Sequence, residues 1–529
     1  MSQVTVCILT SGKGTRMGAL GRGLNKALLP LGQEAVISRI IAKFPKDARF
    51  VIAVGYLAEQ VRSYLHAAHP EGSFEFVEVD RYEGSGSGPG YSLSRCESLL
   101  QCPFFFVSCD TLWEGEIPLR AEKNWFATAR VPSEETQNYC NFTFTSDSLT
   151  LERQIVGILD KTLAPENSEA FTGLCYIKDH ALFWPALKEG HLVQGEHQIS
   201  NGIQALVGSG KATALSVEWT DLGTESRFLK AAAGYQDYDF GKTGEFLYIL
   251  NGRVIKFFEN SEIVEKRVFR ARLNPAVFPP IETCSGQFYS YAFVPGKTLY
   301  ENNSIEVFSR LLNWLKQNLW KKDTSGDPNF TSKAEAFYKT KTLERLAAYH
   351  LKYPGSDISS VVNGAQTPAV SALLEKVPWK KLIEGRPAFF HGDLQFDNIL
   401  YAAETGSFVL LDWRQDFGGD THTGDQYYDL AKLNGGILLS YDFIKKGLFA
   451  YVEDGESFTI DFASRYLAAE YQKLLAAFVE SEGLDWRHVQ LLTALIFLNM
   501  APLHHYPFDK LLYALGRQHL HFVLNDGVH

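Results

Sequence analysis

The chain has 529 residues, of which 45% are hydrophobic and 21% charged, and it carries a formal net charge of -10 at pH 7. One hydrophobic core does not serve a chain of this length, so roughly two to four domains are expected. The acidic balance argues against nucleic acid as the main partner, and no apolar run approaches the ~20 residues that a membrane span needs.

Residues 4–9 form a short apolar run rich in β-branched side chains, as a buried parallel strand does. A glycine-rich loop follows at once. The pattern then predicts a helix over 35–44, a strand over 50–54, a helix over 57–66, a strand over 74–79, a helix over 91–100 and a strand over 103–108 that ends near Asp110. This alternation predicts an α/β domain with a mostly parallel sheet. In such sheets the ligand crevice lies beyond the carboxyl ends of the strands, where both the Gly12 loop and Asp110 fall. Strand-like pieces follow at 142–145, 154–159 and 171–177, and a helix over 225–233 closes a first domain spanning 1–234.

The polar stretch 234–239 is the expected boundary. Beyond it, apolar runs at 246–250 and 253–258 flank Asn251-Gly252 and predict a tight hairpin. A helix is expected over 261–271 and a strand over 288–294. Long amphipathic stretches, such as 307–319 and 463–480, dominate from 305 onward. The second domain, 235–529, should therefore have a small β-rich lobe (about 240–300) and a larger helical lobe (about 301–529).

The seven cysteines (Cys7, Cys96, Cys102, Cys109, Cys140, Cys175, Cys284) are scattered, with no CxxC spacing. Reduced thiols in a cytoplasmic enzyme are the simplest reading, and a zinc site is not expected. The N-terminal residues carry no basic leader and run straight into a strand, which agrees with a cytoplasmic location.

Gly12, Gly14 and Gly18 follow a strand, where glycines let backbone N–H groups approach a triphosphate. Arg16 offers a fork of donors and Lys26 a second cation. Alone, the loop reads equally well as a tight turn with no ligand, and Asp110 as a strand-end cap. The ordered series is more specific. Residues 12–32, Val54-Gly55-Tyr56, Asp110, residues 157–161, Phe171-Thr172-Gly173 and residues 219–224 together resemble the sugar-phosphate and choline-phosphate nucleotidyltransferase family.

That resemblance implies a Rossmann-like nucleotidyltransferase domain with Mg²⁺ held by Asp110 and Asp221. It implies nucleotide contacts from Gly12, Gly14 and Thr15, phosphate contacts from Arg16 and Lys26, and an acceptor-phosphate contact from Lys161. Gly88-Pro89-Gly90 resembles the family's nucleobase loop, so Gly88 and Gly90 are expected at the base. CTP is preferred, because the compact Asn25-Lys26-Ala27-Leu28 form and the fused second domain resemble choline-phosphate cytidylyltransferases; UTP and dTTP stay open. Ser11 and Lys13 depart from the small residues common in the family. In the chemistry implied, a phosphate monoester attacks the α-phosphorus and pyrophosphate leaves. The nucleophile is already anionic, so the protein has only to align two polyanions and screen their repulsion.

A second constellation comprises His391-Gly392-Asp393, Asn398 and Leu411-Asp412-Trp413, set between apolar runs. Phosphoryl transfer from ATP needs a carboxylate beside the acceptor hydroxyl and oxygen ligands for Mg²⁺. Asp393 suits the first task, and Asn398 with Asp412 the second. With Val254-Ile255-Lys256 upstream, the pattern resembles the choline kinase and aminoglycoside phosphotransferase family, which has a protein-kinase-like fold. The resemblance implies that Asp393 is the base, Asn398 and Asp412 are metal ligands, and Lys256 is the phosphate anchor. Glu265 is its expected partner, with Glu262 a competitor. Only Gly241-Lys242-Thr243-Gly244 remains of a glycine-rich loop.

For the acceptor, Trp413, Tyr427 and Tyr428 lie among Asp416, Asp420, Asp425 and Asp429. Aromatics with carboxylates suit a cationic amino alcohol such as choline. The same residues suit sugar hydroxyls, or simply open a core helix. His504 and His505 are undecided. The expectation is a bifunctional enzyme. ATP phosphorylates a small hydroxylated metabolite, choline-like by preference, and CTP or another NTP then activates the product. Decoration of a surface glycan or lipid is implied by the resemblance alone. The rivals are a sugar kinase fused to a sugar-1-phosphate nucleotidyltransferase and a nucleotide sensor without turnover. Partners are expected to be small molecules and nucleotides, and the oligomeric state is left open.

Overall fold

A computed structural model of the chain describes residues 3–144, 152–235, 244–322 and 327–526. Most of the expected boundary (236–239), the degenerate loop residues Gly241, Lys242 and Thr243, and Thr145 lie outside the described residues.

Period-two alternation builds the first sheet. Thr5–Leu9 (β1), Arg49–Val54 (β2), Ser73–Glu78 (β3) and Phe104–Ser108 (β4) lie in the order β3-β2-β1-β4, all parallel. The helices Val36–Ile41 (α1), Ala58–Ala68 (α2) and Pro89–Arg95 (α3) come between them in sequence. Val6, Ile8, Ile52 and Phe105 enter one apolar layer, whereas Cys7, Val51, Phe104 and Phe106 enter the other. Successive strand residues point to opposite faces, so continuous apolar runs are what a sheet covered on both sides requires.

Beyond β4 the sheet becomes mixed. Thr111–Glu114 (β5) leaves it. Asn124–Ala129 (β6), Cys140–Phe144 (β7), Glu152–Asp160 (β8), Glu169–Ile177 (β9) and Ala212–Ser216 (β10) complete the order β3-β2-β1-β4-β9-β6-β10-β8-β7. In this half only β6 and β10 pair in parallel. The expected mostly parallel sheet is thus confined to the first four strands. Parallel neighbours need a crossover of about a dozen residues or more. The 145–151 and 161–168 connections between β7, β8 and β9 are shorter than that. Helices His180–Glu189 (α4) and Ser200–Gly208 (α5) supply Phe183, Trp184, Ile203 and Leu206 to the second apolar layer. The detached strand β5 pairs antiparallel with Glu218–Asp221 (β11), just before helix Glu225–Ala232 (α6).

Glu245–Leu250 (β12) and Arg253–Phe258 (β13) form the expected hairpin, with both turn residues in the left-handed region (Asn251 φ 50°, Gly252 φ 69°). These two strands belong to a four-stranded sheet with Ile281–Ser285 (β14) and Phe288–Ala292 (β15), ordered β12-β13-β15-β14. Packing divides the chain into two compact units. Of the described residues, 3–144, 152–235, 244–261 and 283–290 form the first, and 262–282, 291–322 and 327–526 form the second. The hairpin thus packs with the first unit. Tyr248, Ile255 and Phe257 join its core, and the Tyr248 hydroxyl donates to Leu28 O at 2.8 Å.

The second unit is largely helical. Ser261–Leu273 (α7), Ile305–Asn318 (α8), Phe330–Glu335 (α9) and Lys341–Lys352 (α10) precede the hairpin of Ile399–Ala402 (β16) and Ser407–Leu410 (β17). Gln426–Leu438 (α11), Ala468–Ser481 (α12), Trp486–Met500 (α13) and Phe508–Asp526 (α14) follow. Helix α11 is buried from Gln426 to Ile437, with no solvated face. It nonetheless carries Asp429 and Lys432, and buried charges demand partners. Those partners turn out to be the second constellation. Among the described residues no helix is long and apolar enough to cross a membrane.

Candidate functional sites

The first site is assembled where β4 gives way to β5. Because β5 pairs with β11, Asp221 lies opposite Thr111, and Leu222 N donates to Asp110 O at 2.9 Å. The two aspartates, 111 residues apart in sequence, are therefore neighbours by register. Gly223 shows how close they come. A methyl group placed on it would lie 3.0 Å from Asp221 Oδ1, 3.4 Å from Asp110 Oδ2 and 3.5 Å from Arg16 Nη2. Lys26 Nζ donates to Asp110 Oδ2 at 2.9 Å. Burial opposes the charge on Asp110, but Lys26, reinforced by Arg16, outweighs it and holds the carboxyl below its ordinary range. The same pairing raises Lys26 against its own burial.

The glycine loop curls around this lysine. Gly14 is left-handed (φ 64°) and starts a single 3₁₀ turn, Thr15–Met17, with the Lys26 side chain 3.4 Å from where a Cβ would stand. A Cβ on Gly12 would meet nothing within 4 Å, so that side of the loop is open. Thr15 and Arg16 are exposed on it.

Sequence reasoning missed the residues that hold Asp221. Tyr139 donates to its Oδ2 at 2.8 Å, Arg227 pairs with the same oxygen, and Gly223 N donates to Oδ1 at 2.8 Å. Nothing in the sequence spacing marks Tyr139. Lys161 is reached through it: Lys161 N donates to Tyr139 O at 2.9 Å, and Lys161 Nζ lies 3.2 Å from Glu196 Oε2. Gly88 and Gly90 pack on the segment after Glu196. A Cβ on Gly88 would stand 2.8 Å from His197 O, and one on Gly90 2.6 Å from Gln198 O. Close backbone approach alone thus demands glycine at both positions.

Oxygen donors, few protein ligands and nearby cations for phosphate are the chemistry that Mg²⁺ with a nucleotide requires. Asp110 and Asp221 fit that description.

In the second unit the loop before β16 is organised by α11. Asp429 accepts from His391 N and Gly392 N at 2.7 Å each and from Trp320 Nε1 at 3.0 Å. His391 Nε2 donates to Leu411 O at 2.8 Å, which ties the loop to the segment carrying Asp412. Asn398 Nδ2 donates to Asp393 O at 2.9 Å, and Leu411 N donates to Asn398 O at 2.8 Å. Asp393, Asn398 and Asp412 are thus tied together by hydrogen bonds through the main chain, which brings three oxygen-bearing side chains, the kind a hard cation takes, onto one pair of loops. Asp412 sits in the left-handed region (φ 56°), unusual for a residue with a side chain. Its Oδ1 lies 3.1 Å from Arg267 Nη1. Asp393 Oδ1 lies 2.8 Å from Lys432 Nζ on α11 and accepts from Gln395 Nε2 at 3.1 Å.

Glu265 is exposed on α7 and makes no ion pair among the described residues, while Glu262 pairs with Lys266 at 2.7 Å. The inward charged positions of α7 are Arg267 and Arg270 instead. Lys256 is buried on β13, opposite Leu247. The carboxylates of the Asp-rich segment have partners within the second unit. Asp425 caps α11, Asp429 holds the loop, Asp416 pairs with Lys266 and Asp420 with Lys333. Trp413 is fully buried, its Nε1 donating to Arg267 O at 2.8 Å. Tyr427 stacks on His488 with ring centroids 3.9 Å apart. His505 is exposed. A lone lysine inside an apolar helix, Lys432, was the legible signal that the sequence reading did not use.

Family comparisons agree with both halves. A model described as the MobA-like NTP transferase domain matches residues 6–118, and one described as the phosphotransferase enzyme family matches residues 282–476. The chain therefore joins an N-terminal nucleotidyltransferase-class domain to a C-terminal, kinase-like phosphotransferase-family domain. Among curated proteins, the bifunctional protein GlmU of Methanococcus maripaludis is 21% identical over 221 residues, covering 41% of this chain and 50% of that protein. That of Trichormus variabilis is 39% identical over 85 residues, covering 16% and 17%. The chain spans half the length, or less, of these relatives. Among solved structures, UDP-glucose pyrophosphorylase complexed with UDP-glucose aligns at 17% identity and a TM-score of 0.39, covering 44% of this chain and 98% of that one. A putative glucose-1-phosphate thymidylyltransferase from Bacillus anthracis aligns at 22% and 0.37, covering 46% and 98%.

Proposed function

We propose that this chain carries out two consecutive transfers. In the first, Asp393 takes the proton of an acceptor hydroxyl as its oxygen attacks the γ-phosphorus of ATP, and ADP leaves. In the second, the phosphate monoester so formed attacks the α-phosphorus of a nucleoside triphosphate, and pyrophosphate leaves. The observation that carries the reading is the pairing of two sites of complementary chemistry in one chain: one family makes phosphate monoesters and the other consumes them.

Arg16, Lys26 and Lys161 are assigned to phosphate charge in the second reaction, with Gly12, Gly14 and Thr15 along the triphosphate and Gly88 and Gly90 near the base. Lys256 anchors the ATP phosphates in the first. Mg²⁺ would be held by Asp110 with Asp221, and by Asn398 with Asp412, and would supply charge neutralisation on the phosphates. The protein's own residues align the reactants and exclude water, which accounts for most of what phosphoryl transfer asks of an enzyme. CTP is the proposed second nucleotide, on the sequence resemblance already described, and an activated donor for surface glycan or lipid decoration is the proposed product.

Asp393→Asn should abolish ATP consumption while leaving nucleotidyl transfer to a supplied phosphorylated acceptor. Asp110→Asn should do the reverse. ADP and pyrophosphate release, measured separately with CTP, UTP and dTTP, read both outcomes. Loss of both activities in either folded variant refutes two separate sites, and the base preference decides among the nucleotides.

A further inference from the structure

A group of cations surrounds Asp393. Helix α10 begins at Lys341 directly after a π turn, Ala336–Thr340, and such turns are frequent at functional sites. The π turn presents Phe337, a buried ring. Lys341 Nζ lies 4.4 Å from its centroid and Arg414 Cζ 4.8 Å. Arg345 lies one helical turn beyond Lys341, where burial and the nearby Arg414 guanidinium disfavour its charge. Arg414 stands on the Asp393 loop itself: its N donates to His391 O at 2.9 Å, and a Cβ on Gly392 would lie 2.6 Å from Arg414 Cβ. Lys432 completes the group, 2.8 Å from Asp393.

Lys432 has a carboxylate partner. Among the described residues, Lys341, Arg345 and Arg414 make no ion pair, and Arg414 Nε is buried without a hydrogen-bond acceptor. Glu344 and Tyr428 beside Arg345, and Asp393 beside Lys341, offset part of that charge. Burial, with the positive charge of Arg414, Lys432 and Arg345, pushes Lys341 down to about 6. Like charges gathered in a half-buried place cost stability unless a counter-ion offsets them. The aromatic and acidic residues that would have held a cationic amino alcohol are engaged elsewhere.

We propose that the acceptor phosphorylated at Asp393 is a hydroxylated organic anion, whose carboxylate or phosphate group is received by Lys341, Arg345 and Arg414. This rests on the phosphoryl-transfer reading of Asp393. In the step, the acceptor oxygen bonds to the γ-phosphorus of ATP, the bond from that phosphorus to the bridging oxygen breaks, ADP departs, and the hydroxyl proton passes to Asp393. The anionic group stays on the cations throughout and fixes which hydroxyl faces the base.

The full chain is incubated with ATP, Mg²⁺ and, in turn, glycerate, glycerol 3-phosphate, glycerol and choline, and ADP is measured. One or both anions should be consumed, with kcat/KM on the order of tenfold or more above glycerol and choline, and the better one tells carboxylate from phosphate recognition. Arg345→Gln should raise KM for that anion about tenfold and leave KM for ATP within about twofold. Turnover of choline or glycerol in preference to the anions overturns the proposal while leaving the kinase reading intact. So does a rise in KM for ATP as large as that for the acceptor, since the cations would then serve the nucleotide. If no acceptor is consumed, the kinase reading fails with these probes, and sulfate binding decides the anion site. Sulfate should raise the thermal midpoint of the native chain more than that of Lys341→Met/Arg345→Gln, and equal shifts overturn the proposal.

Discussion

Gly223 stands where Asp110, Asp221 and Arg16 converge. It has an ordinary negative φ, so alanine costs little in backbone strain. Its Cβ would nonetheless stand 3.0–3.5 Å from Asp221, Asp110 and Arg16, in the space a ligand between them would use. Gly223→Ala should therefore lower nucleotidyl transfer by about tenfold or more at nearly unchanged stability and leave ATP consumption intact, because one methyl displaces a shared ligand of two carboxylates. Pyrophosphate release and a thermal melt check this together; unaltered transfer would mean that the carboxylates do not act on one ligand.

Helix α11 shows how one element serves both packing and chemistry. Its face toward the Asp393 loop carries Asp429, which burial pushes up to about 6 although three donors favour its charged form. In Asp429→Asn one of these donors would meet an amide N–H in place of an oxygen. The loss should be about 1–3 kcal/mol in stability, together with a fall in kinase activity as the loop loosens, and nucleotidyl transfer should persist. The same N-terminal turn of α11 stacks Tyr427 on His488 of α13, and burial lowers His488 to about 4. A histidine held below its unfolded value of about 6.5 contributes stability that is complete above that pH and is lost as pH falls toward about 4. Denaturant midpoints of the second unit should fall over that window, with a shallower decline in His488→Gln. An identical decline in the variant would remove His488 from the account.

For the whole chain, the order of the two reactions makes a claim that neither site makes alone. With an unphosphorylated acceptor, pyrophosphate should appear only when ATP and the second nucleotide are both present, and a phosphorylated acceptor should bypass ATP. Pyrophosphate release from unphosphorylated acceptor without ATP would contradict the sequence of transfers.

Strand and helix periods, the Asn251-Gly252 turn and the spacing of the His391–Asp412 motif are local properties, written in neighbouring residues, and they were legible in the chain itself. So was the placing of the Gly12 loop and Asp110 at one crevice, because both follow strand ends of one sheet. Partners set by register or by helix burial were not legible. Tyr139 and Arg227 meet Asp221 only because β5 detaches from the sheet to pair with β11. Lys432 meets Asp393, and Lys341, Arg345 and Arg414 gather beside it, only because α10 and α11 pack around the loop. Periodicity reports which face of an element is buried, whereas the identity of what it is buried against depends on contacts between residues far apart in the chain, and those exist only once the fold has closed.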